Sequence, residues 1–150
     1  MNRLLGLTVL ALAAGAAAHA QVANPVVASS QEIVTRQAAY ILAAAQEMPA
    51  DKYSYKPTAD QMTFGRMVVH VTQANNNVCG MLNDTKAPAG APLAETDPKE
   101  TLVTALKASF DFCSKALDGL QDAKLGDTIS FFGGAKKPRA RRYGGYHRQM

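Results

Sequence analysis

Apolar and polar positions along this chain fall into three helical stretches joined by connections of unequal length. Ser29-Ser30-Gln31-Glu32 has the Ser-x-x-Glu form of a capping box, in which each side chain satisfies a free backbone donor at a helix start. Ile33, Tyr40, Ile41, Ala44 and Met48 then recur near helical spacing until Pro49 stops the run, predicting a first helix over about residues 30–48. Asp51 to Pro57 is a linker whose Tyr53 and Tyr55 are expected to cover one end of the core. Thr58 with Gln61, or Thr63, can cap a second helix over about residues 63–82. Its stripe is Phe64, Met67, Val68, Val71, Ala74, Val78 and Leu82, a repeat of about seven suited to packing on other helices. Asn83 to Asp97, rich in Pro, Ala and Gly, has no periodicity and is long for a helix–helix connection. Asp97-Pro98-Lys99-Glu100 opens a third helix over about residues 98–120, with Asp as the cap and Pro at the first helical position. Leu102, Val103, Leu106, Phe110, Cys113, Leu117 and Leu120 make its apolar face. After Thr128-Ile129-Ser130-Phe131-Phe132 the pattern breaks at Gly133-Gly134, and Lys136 to Arg142 is basic with a proline inside it. No strand, internal repeat or Gly-rich phosphate loop is predicted.

The two ends change the picture. Met1-Asn2-Arg3, an apolar run from Leu4 to Ala18, and Ala18-His19-Ala20 before Gln21 are the three parts of a secretory signal peptide. The run is shorter than the ~20 apolar residues a bilayer span needs, so no membrane span is expected once the signal is removed. The organisation expected is a signal peptide over 1–20, a helical domain over 21–132 and a basic, disordered tail over 133–150. Such a protein is exported, to the periplasm or the medium of a bacterium. From Gln21 to Asp127 nine Lys/Arg stand against twelve Asp/Glu, a net −3. From Thr128 onward there are six Lys/Arg and no acid. The basic balance is thus a property of the tail, and the folded domain carries no basic face for nucleic acid.

Cys79 and Cys113 are the two cysteines. An even count in an oxidising compartment favours pairing over metal binding, the other reading being two free, buried, apolar thiols. Each cysteine lies about fifteen residues, or ~22 Å of helical rise, beyond its helix start. They come level only if the second and third helices run parallel. Parallel neighbours need a connection that travels back a helix length, and a fifteen-residue segment spans up to ~50 Å. The long connection and the cysteine spacing therefore demand the same topology, an up-down-down-up bundle.

His70 is the one histidine inside a predicted helix, beside Thr63, Met67, Ala74 and Asn77. Spacing alone reads it as a partly buried, hydrogen-bonded core residue, since one histidine does not make a metal site. Asn75-Asn76-Asn77 reads as the polar side of that helix with a contact near His70, and Asp111 and Asp118 read as solvated. There is no Ser-His-Asp set, catalytic carboxylate pair or Cys-x-x-Cys, so catalytic residues are unknown.

Ala44-Ala45-x-x-Met48-Pro49-x-x-x-Tyr53-x-Tyr55-x-Pro57-Thr58, followed by Thr63-Phe64-Gly65, His70-Val71 and Asn75 to Cys79, resembles the DinB superfamily of bacterial four-helix bundles. The resemblance covers about residues 30–132. It implies an all-α, up-down-down-up four-helix bundle and a divalent-metal site, nickel or zinc, built from one histidine on helix 2 and two on helix 4. His70 sits where the helix 2 ligand belongs. Some members are thiol-dependent transferases or hydrolases, including bacillithiol and mycothiol enzymes. Here the pattern departs: Lys136 to Met150 carries Pro138 and Gly144-Gly145 where a long fourth helix is expected, and only His147 as a further ligand. The fourth helix is expected to be truncated or poorly formed, from a truncated or frame-shifted C-terminus, and the metal site incomplete. An apolar groove left open there is a surface for a homodimer. Two function readings follow: a metal-dependent transferase or hydrolase working through His70, or a non-catalytic binding bundle that has lost the site. The six cations with Tyr143 and Tyr146 have two readings of their own, a contact for an anionic polymer or lipid surface, or a tail without function.

Overall fold

The computed structural model describes residues 23–130 and 132–142; the segment read as a signal peptide over 1–20 and the tail beyond Arg142, His147 included, lie outside the described residues. The chain forms helices α1 (Pro25–Glu47), α2 (Phe64–Leu82) and α3 (Lys99–Asp118), then an antiparallel ribbon of β1 (Thr128–Ser130) and β2 (Lys136–Pro138).

α1 starts five residues earlier than its capping box predicts. Pro25 occupies its first turn, and the donors exposed there are met from across the molecule. Val26 N and Val27 N donate to the two carboxylate oxygens of Asp122 at 3.0 and 2.9 Å, and Asp122 N donates to Asn24 Oδ1 at 2.9 Å. A carboxylate at a helix N-terminus also suits the helix dipole. Ser29 to Glu32 is therefore helix interior, where Ser30 Oγ donates back to Val26 O at 2.8 Å. At α2 the local signal holds: Thr63 Oγ1 accepts from Arg66 N at 2.9 Å. At α3 the cap is Pro98, while Asp97 Oδ2 accepts from Ala94 N at 2.9 Å and closes the preceding turn.

Contacts between α2 and α3 advance together along both helices. Thr63 meets Glu95, Asn75 meets Ser109, Cys79 meets Cys113, and Asn83 lies against Gly119. The two helices are thus parallel, with the Cα atoms of Cys79 and Cys113 5.1 Å apart and their sulfurs at disulfide distance. The connection returns along α2, bringing the Thr85 carbonyl against Gly80 and the Glu95 carbonyl against Gly65. α1 runs the other way: Lys99 Nζ donates to Gln46 O at 2.6 Å at one end, and Gln31 Nε2 to Asp118 Oδ1 at 2.9 Å at the other.

The core lies on α3. Leu102 and Leu106 are fully buried with Val68 and Val69 of α2, Ala45 of α1 and Tyr53 of the linker. A second cluster of Val27, Leu82, Leu117, Leu120 and Leu125 closes the opposite end. Tyr53 donates to Ala45 O at 2.7 Å and meets the Phe64 ring edge-on at 5.1 Å, whereas Tyr55 is exposed.

Two sequence expectations are corrected. The fold is mostly helical, with three α-helices among the described residues, but strands are present where none was predicted. The segment expected to open a disordered tail pairs back instead: Thr128 faces Pro138, Ile129 faces Lys137 and Ser130 faces Lys136. Ile129 is buried, Arg139 N donates to Asp127 O at 2.9 Å, and Ala140 N donates to Leu125 O at 2.8 Å. Pro138, which has no N–H, suits so short a ribbon edge. Gly134, at φ 79°, makes the turn that other residues resist.

Candidate functional site

The buried side of α2 is turned from the predicted stripe by about one residue. Gly65, Val68, Val69, Thr72, Cys79 and Gly80 are buried against α3 and the returning loop. Small residues permit this approach: a Cβ on Gly65 would stand 2.5 Å from the Glu95 carbonyl oxygen. The predicted stripe, with Val71 and Val78 at its centre, consequently looks into a gap between α2 and α1. Both helices rest on α3, and the groove between them has a volume of about 350 Å³. Ile33, Val34 and Ile41 line one wall, Val71 and Val78 the other, and Phe110 and Leu117 the floor, with the sulfur pair of Cys79 and Cys113 beneath. Gln37 and Asn75 supply its polar groups. Asn75 is held from the opposite side by its own bond to Ser109 Oγ at 3.1 Å, so it braces α2 on α3 and is not a partner of His70.

His70 is exposed. At 100° per residue it lies a quarter turn from Val71 and roughly 150° from the centre of the face that meets α3. The partly buried, hydrogen-bonded histidine read from spacing is corrected to a surface one. Helical spacing leaves it beside Met67, itself 48% exposed, and Ala74. Among the described residues no group of three or more His, Cys, Asp or Glu stands close enough to hold a metal. Nickel or zinc held by protein alone takes about three donors or more, so the residues described here do not fit such an ion at His70. Asp111 and Asp118 are solvated as expected, Asp111 with Lys107 at 2.7 Å and Asp118 with Gln31.

Sequence reasoning passed over two features. It expected an open apolar groove where a fourth helix is missing, but that groove's place between α1 and α2 and its polar residue Gln37 leave no local signature. Arg139, read as one of several tail cations, is buried, reaches Asp84 at 3.4 Å and leaves its Nε without a partner among the described residues.

A comparison with curated proteins and with solved structures finds no match to either. A family model does match, over residues 33–146, most of the chain and all three parts of the groove. By that match, and by the parallel second and third helices seen above, the chain belongs to the DinB superfamily.

Proposed function

We propose that this chain is an exported member of the superfamily that acts by binding an apolar ligand in the α1–α2 groove, not by chemistry at His70. The observation that carries the reading is the groove itself: an apolar cleft of about 350 Å³ with Gln37 and Asn75 as its few polar groups. That is the composition and size of small-molecule sites, in which apolar walls supply affinity and one or two polar groups set orientation. Export is supported by the three-part leader pattern at the N-terminus and by a cysteine pair at disulfide distance, which persists in oxidising compartments. No helix among the described residues is long and apolar enough to cross a membrane.

The test is titration with a fluorescent apolar dye, beside elemental analysis of the same preparation. Saturable enhancement is expected from the native protein, and its loss in Val71→Trp, where an indole fills the cleft, with helical circular dichroism unchanged. A flat titration of the native protein overturns the reading. So does stoichiometric nickel or zinc that His70→Ala removes, which would support the metal-dependent transferase or hydrolase implied by the family.

A further inference from the structure

Arg139 carries a positive charge into the molecule with little to balance it. Its side chain is 9% exposed, and its ion pair is a 3.4 Å contact from Nη2 to Asp84 Oδ2. That carboxylate is itself 70% exposed, and Arg139 Nε has no hydrogen-bond partner among the described residues. A buried charge so weakly paired calls for further negative charge close by. Asp84 is unusual as well. It follows the end of α2 at φ 49°, a left-handed backbone unfavourable to a residue with a Cβ and of the kind that collects at functional sites.

Asp84 lines a cavity of about 460 Å³ whose wall is otherwise rich in hydrogen-bond donors. Asn76 and Asn77 come from α2, Thr85 and Lys86 from the start of the returning loop, and Ser130 from β1. The side chains of Asn76, Asn77 and Lys86 have no partner among the described residues. Lys136 Nζ donates to Ser130 Oγ at 2.9 Å, which brings a further ammonium to the rim. Lys86, Lys136 and Arg139 thus stand at the cavity or directly behind its wall against the one carboxylate of Asp84, an excess of two positive charges among the described residues. The cavity shares no residue with the α1–α2 groove.

We propose that this cavity binds inorganic phosphate, as the hydrogen phosphate dianion. Its two charges match the excess, and ammonium, amide and hydroxyl donors suit its oxygens. The Asp84 carboxylate decides which anion enters. It repels an anion without a proton, such as sulfate, but accepts a hydrogen bond from the P–OH of hydrogen phosphate. Arg139, with its Nε buried, is a positioning residue: it holds Asp84 and supplies charge from behind the wall. The proposal is independent of what the groove holds.

The experiment is calorimetric titration of the full chain, recovered from an exporting host, with inorganic phosphate, sulfate and glycerol phosphate at about pH 8, where the sulfate and the phosphate ester carry no acidic proton. Saturable one-site binding of phosphate is expected, about tenfold tighter than that of either other anion. Lys86→Gln should weaken it about fivefold and Ser130→Ala about threefold. Asp84→Asn should erase the preference for phosphate over sulfate, because an amide can donate to either. Arg139→Gln should abolish binding; since that side chain is buried, the exposed Lys86→Gln is the variant on which the test stands, with circular dichroism unchanged. A titration with phosphate that never saturates overturns the proposal. So does sulfate or glycerol phosphate bound as tightly as phosphate, and so does native affinity in both Lys86→Gln and Ser130→Ala, which would put the anion elsewhere.

Discussion

Tyr53 shows how one side chain ties the linker to the core. Its hydroxyl donates to Ala45 O, and burial, then the nearby Glu100 carboxylate, raises its pKa above 10.0. The unfolded phenol ionises first as pH climbs. The stability it contributes is therefore whole below pH 10.0 and is lost as pH rises through the folded value. Tyr53→Phe should cost about 1 kcal/mol at neutral pH and flatten the alkaline fall in stability, read from urea midpoints on both sides of pH 10.0. The glycines of α2 are a second residue-scale case. A Cβ would lie 2.5 Å from the Glu95 carbonyl oxygen at Gly65 and 2.6 Å from that of Thr85 at Gly80, and backbone cannot step aside as a side chain can. Gly65→Ala and Gly80→Ala should each destabilise by about 1–3 kcal/mol despite better helix propensity. Gly126→Ala, with nothing within 4 Å, should be close to neutral in the same denaturation series.

At the scale of elements, α1 and α2 differ in where their start signal resides. Thr63 caps α2 locally and was legible, because donor and acceptor lie three residues apart. α1 is capped by Asp122, some 95 residues away, while a local Ser-x-x-Glu pattern inside the helix imitates a start. Asp122→Ala should cost about 1–2 kcal/mol and fray the first turn of α1, seen as faster amide exchange at Val26 and Val27. Ser29→Ala should change stability by less than about 0.5 kcal/mol. The α2 stripe teaches the same lesson: Val71 and Val78 were rightly read as apolar and near one another, but the face buried against α3 is the adjoining one with Gly65, Thr72 and Gly80. Composition ranks a glycine face low, although only a flat face admits the returning loop.

For the whole molecule, two cysteines were enough to orient the helices. Helical rise placed Cys79 and Cys113 level only in parallel helices, and the structure brings them to disulfide distance. Thiol titration of the exported, unreduced protein should find no free thiol. Reduction should lower stability by about 3–4 kcal/mol, the loop entropy of a 34-residue separation. The hairpin escaped because strands of three residues with a single buried side chain, Ile129, are too short for alternation to register. An open apolar groove was expected, but its place and lining escaped for a different reason: it is a gap, defined by helices diverging from a shared neighbour and by no residue of its own.

Spacing, caps and cysteine level were local or one-dimensional quantities, and they sufficed for three helices, their direction and the path of the long connection. Tertiary packing decided the rest: which neighbouring face of α2 is buried, that α1 begins at Pro25, that the chain after α3 turns back as a ribbon, and that His70 faces solvent. Each of these depends on groups distant in sequence competing for the same surface, and no periodicity records the outcome of that competition.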